Sequence, residues 1–144
     1  MSNRREFLKK TTAILGATLA GSAAMDLGCA ISTAPLLKAD VTGDYLRFNT
    51  EIPELSKHGD GVALTSDQLD YPILLIRRKN GTISALSSEC MHLGCTIKKQ
   101  KTVLRCPCHG SVYDFEGNVM NGPTEKPLRT YEVTMSGSIV EIKL

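Results

Sequence analysis

Four of the five cysteines and two of the three histidines fall within twenty-two consecutive positions, in the boxes "CMHLGC" (Cys90 to Cys95) and "CPCHGS" (Cys106 to Ser111). Thiolates and imidazoles are the side chains that bind transition metals. Their order is Cys-x-His, thirteen intervening residues, then Cys-x-x-His, so each of two loops can offer one thiolate and one imidazole to a common centre. Two centres suit such a set. Zinc takes two Cys and two His in a closed tetrahedron, usually with Cys grouped with Cys and His with His. Here each arm mixes the two types, which suits a [2Fe-2S] cluster carrying both thiolates on one iron and both imidazoles on the other. Cys95 and Cys108 are left over, one in each box.

Read on to "CPCHGSVYD", the boxes resemble the Rieske iron-sulfur proteins, specifically the branch of the cytochrome bc1 and b6f complexes. The resemblance is strongest over residues 86 to 134 and weaker over 45 to 85. It includes Gly122-Pro123, similar to the family's Pro loop, although Thr124-Glu125 stands where the family usually has Ala-Pro. It implies one [2Fe-2S] cluster, with Cys90 and Cys106 on one iron and His92 and His109 on the other. It also implies a Cys95–Cys108 disulfide tying the loops together, the alternative being two free thiols. Such a bridge contributes about 2–4 kcal/mol. Ser111 and Tyr113 hold the positions whose hydroxyls, in this branch, donate hydrogen bonds to a bridging sulfide and to a ligand cysteine sulfur. These bonds favour the reduced cluster and place the potential in the upper part of the range of about −150 to +300 mV. Leu93 would shield the cluster, Gly94 permit a tight turn and Pro107 fix the second loop.

The function implied is electron transfer. A ligating imidazole keeps its second nitrogen for a proton, so His92 and His109 can couple electron and proton uptake, as oxidation of a hydroquinone requires. The resemblance makes the chain the iron-sulfur subunit of a quinol:cytochrome c oxidoreductase, working with a membrane cytochrome b-type subunit and a c-type cytochrome. A different partner gives the alternative, the Rieske small subunit of an exported molybdenum enzyme such as arsenite oxidase. A Rieske oxygenase would need a further iron held by two His and a carboxylate, and only His58 remains.

These loops need a rigid frame, and the sequence from Tyr45 onward supplies β-rich runs: "YLRFNT", "GVALT", "YPILLIRR", "TISALS", "TVLRC", "LRTYEVTM" and "SIVEIKL". Turn signals separate them. Asn80-Gly81 predicts a type I′ hairpin, and Phe115 to Asn118 and Ser136 to Ser138 two further turns; Ser66 to Asp70 could form one helical turn. With no Trp and 5% aromatic residues, the core rests on Val, Ile and Leu. An all-β, Rieske-type antiparallel β-sandwich or small barrel follows, with a cluster-binding subdomain formed by two loops. His58 reads as a solvated loop residue. Lys98, Lys99 and Lys101 read as a solvated turn, or as a guide for an acidic electron acceptor. Met91, Met120 and Met135 read as filler.

The amino-terminal residues read as an address. "NRREFLKK" followed by the uncharged "TTAILGATLAGSAA" resembles a twin-arginine export signal, which places the protein on the extracytoplasmic (periplasmic) face of the cytoplasmic membrane. Residues 1 to 30 are then a signal or membrane anchor, 31 to 44 a linker and 45 to 144 the Rieske domain. Ser22-Ala23-Ala24 offers small residues for cleavage, and Cys29 either a lipid attachment site or a spare thiol. Four of the seventeen basic residues lie in this address, and without residues 1 to 24 thirteen basic face fourteen acidic residues. The domain is not basic, which removes the electrostatic case for nucleic acid.

Overall fold

The computed structural model describes residues 34–144, whose regular secondary structure is strand apart from one short 3-10 turn. The address and Cys29 lie outside the described residues. Eight strands form one sheet: β1 (Leu36–Lys38), β2 (Asp40–Thr42), β3 (Tyr45–Asn49), β4 (Gly61–Thr65), β5 (Ile73–Arg77), β6 (Ile83–Ser87), β11 (Thr130–Ser136) and β12 (Ile139–Lys143). Four short strands form a second: β7 (Lys98–Lys99), β8 (Leu104–Arg105), β9 (Val112–Tyr113) and β10 (Val119–Asn121). The large sheet runs β1-β4-β5-β6-β11-β12-β3-β2 and the small one β10-β9-β8-β7. Among the described residues no helix is long and apolar enough to cross a membrane.

The large sheet curls on itself. Leu46 from β3 and Val140 and Ile142 from β12 pack with Val62, Leu64, Ile73, Leu75, Ile83 and Ala85 from β4 to β6, giving a barrel-like core. Each of β4 to β6 also carries apolar side chains on its outer face. Ala63, Leu74, Ile76 and Leu86 form a second core with Ile97, Leu104, Tyr113 and Leu128 beneath the small sheet. Strands covered on both faces lose the usual in-out alternation, and β5 is buried at four consecutive positions, whereas β12 alternates.

Three expectations change. Residues 36–42 do not hang free as part of a linker. Strand β1 pairs parallel with β4 and β2 antiparallel with β3 through a Gly43-Asp44 turn, so the sheet is not wholly antiparallel. Pro35 and Ala39 extend this pairing through backbone hydrogen bonds to Ala63 and Thr65. The β5–β6 hairpin forms where Asn-Gly predicts it, but with a three-residue loop. Arg78 pairs with Thr82, and the Gly81 N–H donates to the Arg78 carbonyl at 3.1 Å. Gly81 alone need adopt the left-handed conformation, with φ 81°, as in a type I turn closed by a bulge. The Ser66 segment is a turn closed by one Leu69-to-Ser66 hydrogen bond and not a helix. A 3-10 turn at Pro53–Leu55 buries Leu55 in the barrel core.

Candidate metal centre

The two boxes fold as near-copies. Loop 1 leaves the Glu89–Thr96 bridge and loop 2 leaves the Arg105–Val112 pair at the end of β8 and β9. Each closes with a Cys N–H donating five residues ahead, Cys90 to the Cys95 carbonyl at 2.9 Å and Cys106 to the Ser111 carbonyl at 2.8 Å. Each loop then holds four residues and ends in a glycine that donates back to that Cys carbonyl, Gly94 at 2.8 Å and Gly110 at 3.1 Å. Both glycines have positive φ, 72° and 77°, which accounts for their type. His92 takes the second place of its loop and His109 the third of its own, so the unequal Cys-to-His spacings serve one geometry.

Cys90 and Cys106 lie at the base of the loops, each 1% exposed and free. The His92 and His109 rings meet edge to face, with centroids 4.8 Å apart. The predicted bridge is present: Cys95, which closes loop 1, is bonded to Cys108 in loop 2, with Cα atoms 6.5 Å apart. Its two sulfurs and the Cys106 sulfur lie within 4.8 Å of one another. Tyr113 is fully buried, and its hydroxyl stands 3.7 Å from Cys90 Sγ. Leu93 is 69% exposed, between His92 and Gly94 in the first loop. Pro107 is exposed in the second loop.

A third loop supports these two. Gly122, at φ 114°, is seated so closely that an added Cβ would stand 2.5 Å from Ser111 Cα. The sequence reading marked Gly122-Pro123 but did not foresee that Thr124 is buried at 5% exposure. It also missed Tyr71, whose hydroxyl would lie 3.1 Å from a Cβ at Gly94; only the folded chain brings Tyr71 to this loop. Lys99 differs as well. It is 6% exposed, with its ammonium 5.6 Å from the Phe115 ring centroid. Burial lowers its pKa and nearby Asp60 works against that. His58 is exposed as expected.

The donor set fits an iron-sulfur cluster. Four buried side-chain polar atoms among the described residues have no hydrogen-bond partner: Arg78 Nε, Ser88 Oγ, His92 Nδ1 and Ser111 Oγ. Buried polar atoms are nearly always paired, and the last two belong to the cluster boxes. Burial pushes the Cys90 thiol up, but hydrogen bonds from the His92 N–H, Cys106, Tyr113 and, at longer range, Ser111 outweigh it and bring its pKa below 9.0. Burial and the neighbouring Cys90 push Cys106 above that value. Without metal the pair therefore holds one thiolate more readily than two, and cations beneath the histidines would relieve the repulsion.

A family model, Rieske [2Fe-2S] domain, matches residues 50–132. The chain belongs to the Rieske [2Fe-2S] domain family. It is 31% identical to cytochrome b6-f complex iron-sulfur subunit 2 of Nostoc sp. (strain PCC 7120), over 97% of this chain and 84% of that protein. It is 33% identical to the menaquinol:cytochrome c reductase iron-sulfur subunit of Bacillus subtilis (strain 168), over 90% and 84%. Among solved structures, naphthalene 1,2-dioxygenase superposes with a TM-score of 0.58 at 18% identity, covering 69% of this chain and 25% of that one. A chain in the complex of reduced oxygenase and oxidized ferredoxin in carbazole 1,9a-dioxygenase gives 0.56 at 18%, covering 71% and 94%. At such identities the two structures share the fold alone. The Rieske domain carries one [2Fe-2S] cluster, and Cys90, His92, Cys106 and His109 are the side chains that could hold it.

Proposed function

We propose that this protein is the electron-transfer iron-sulfur subunit of a quinol-oxidising bc-type complex, with Cys90 and Cys106 ligating one iron and His92 and His109 the other. The paired loops carry this reading: each brings one buried thiol and one imidazole, and the two rings meet edge to face, His92 with one buried unpartnered nitrogen and His109 exposed. The relatives support the setting, one being a subunit of a cytochrome b6-f complex and the other of a menaquinol:cytochrome c reductase. The partners are then a membrane cytochrome b-type subunit, a c-type cytochrome and quinol. The twin arginines would place them on the extracytoplasmic face of the membrane.

The cluster, when bound, accepts and releases one electron at a time. The chain's own residues position the substrate and move the proton. The exposed His109 ring can accept a hydrogen bond from a hydroquinone hydroxyl at its outer nitrogen and hold the proton that hydroxyl gives up. Exposed Leu93 and Met91 give the tip an apolar rim that suits a quinone ring or its protein pocket. The disulfide and the Gly122 loop hold both histidines to one geometry, so the docking face does not reorganise between redox states.

Purification of the complex from membranes, followed by anaerobic mixing with quinol, tests the reading. It expects a reduced [2Fe-2S] spectrum on mixing and passage of the electron to a c-type cytochrome. Zinc in place of iron, or co-purification with a molybdenum protein, overturns it.

A further inference from the structure

A cleft of about 830 Å³ opens at the end of the small sheet away from the cluster loops. The turn joining β7 to β8 brings Lys101 and Thr102 to it, whereas the second cluster loop leaves the other end of β8. The loop between β5 and β6 adds Arg78, Lys79 and Asn80, and Phe115 adds an aromatic side chain. Lys99 also lines the cleft and is 6% exposed. Its stem lies so close to Gly61 that an added Cβ would stand 3.0 Å from Lys99 Cδ. Its ammonium has the Phe115 ring centroid at 5.6 Å and the Gln100 carbonyl at 3.4 Å, and among the described residues it makes no ion pair. Neither neighbour is charged, and a buried charge is costly unless paired. A second donor is short of a partner: Arg78 Nε is buried without a hydrogen bond, with the Glu116 carboxylate no nearer than 3.5 Å.

Three carboxylates share the lining, and each is engaged. Asp114 accepts from the Glu116 and Asn118 N–H groups and from the Asn118 amide. Asp60 accepts from the Lys57 N–H at 2.8 Å and favours the charged Lys99 without pairing with it. Glu116 faces Arg78. Lys79 and Lys101 are exposed and, among the described residues, make no ion pair. The cations are thus the groups left wanting a partner. We propose that this cleft is an oxyanion site that takes a small molecule through a phosphate group, with buried Lys99 and Arg78 Nε as its donors and exposed Lys79 and Lys101 completing the charge. Several cations converging on one place suit a dianion better than a single carboxylate, and the volume is in the range of small-molecule sites. None of the four candidate iron ligands lines the cleft, so the site stands apart from the electron-transfer reading.

The experiment titrates the oxidised, isotope-labelled holoprotein with inorganic phosphate at constant ionic strength in an amine buffer and follows amide shifts by nuclear magnetic resonance. Saturable shifts are expected at Gly59, Asn80 and Thr102, around the cleft. Lys99→Met keeps the packed stem and should weaken phosphate binding about tenfold or more. Lys98→Gln removes the same charge from the exposed neighbour outside the cleft. It should bind within about twofold of wild type, because salt screens a distant surface charge. If Lys99→Met does not fold, Lys101→Gln replaces it, with a loss of about two- to fivefold expected for an exposed charge. The absence of saturable shifts, or an equal loss in the cleft variant and in Lys98→Gln, overturns the proposal. Cosedimentation with phosphatidylglycerol vesicles separates the two sources of such a group: binding that falls in Lys99→Met assigns a lipid headgroup, and binding that Lys99→Met leaves unchanged assigns a free phosphate compound.

Discussion

Ser111 and Lys99 are two buried polar residues with opposite consequences. Ser111 Oγ is fully buried with no close hydrogen-bond partner and helps to lower the pKa of the Cys90 thiol, so under the proposed function its hydrogen bond goes to the cluster. One hydrogen bond contributes about 1 kcal/mol, roughly 40 mV for a one-electron couple. Ser111→Ala is therefore expected to lower the midpoint by that order, starting from a wild-type value above about 0 mV. An unchanged midpoint would mean that the hydroxyl faces elsewhere. Lys99 serves no such group, and burial lowers its pKa below 10.5. At neutral pH the folded state bears the full cost of its charge. That cost falls as pH rises through the lowered folded value and is gone above 10.5, the unfolded reference. Lys99→Met keeps the stem that packs on Gly61. It should unfold at higher denaturant than wild type at neutral pH, with the advantage shrinking in alkali; an advantage independent of pH would refute this account.

Among the elements, legibility followed repetition. The long runs such as "GVALT" and "SIVEIKL" are strands within a residue of where the pattern puts them, because several β-formers in a row outweigh local exceptions. The two-residue strands Lys98–Lys99 and Val112–Tyr113 carry too few residues for any period to register. Val112–Tyr113 with β8 forms the stem of the second cluster loop, and Lys98–Lys99 pairs with β8 across the link between the two boxes. Residues 36–42 escaped for another reason: β1 lies beside β4, a partner far along the chain. The boxes announced their side chains, whereas the burial of Thr124 and the reach of Tyr71 depend on distant loops meeting. Gly122 is the sharpest case of such a meeting. Gly122→Ala would force a Cβ to 2.5 Å from Ser111 Cα at a φ of 114°, and a cost of about 1–3 kcal/mol is expected for the strain alone. Chemical denaturation should show that loss together with faster bleaching of the cluster; wild-type values in both would mean that the loop yields freely.

At the scale of the whole molecule, β4 to β6 serve two cores. Their inner face closes the barrel, while Ala63, Leu74, Ile76 and Leu86 on the outer face lie under the small sheet and the bases of the cluster loops. Cys90 and Cys106 belong to that second core, so under the proposed ligation removing iron frees two side chains within it and leaves the disulfide to hold the loops. Chelation should therefore increase binding of a hydrophobic dye while the far-ultraviolet signal of the barrel persists. Dye binding equal to that of the iron-loaded protein would show that the small sheet stays in place unaided. The doubly covered strands carry a hazard as well. Run together, β5 reads Ile-Leu-Leu-Ile, the kind of segment that recruits its like when uncovered. A chain stripped of its iron would then uncover one face of β5, whose edges stay paired with β4 and β6, so any self-association would run through that apolar face and not through a free strand edge.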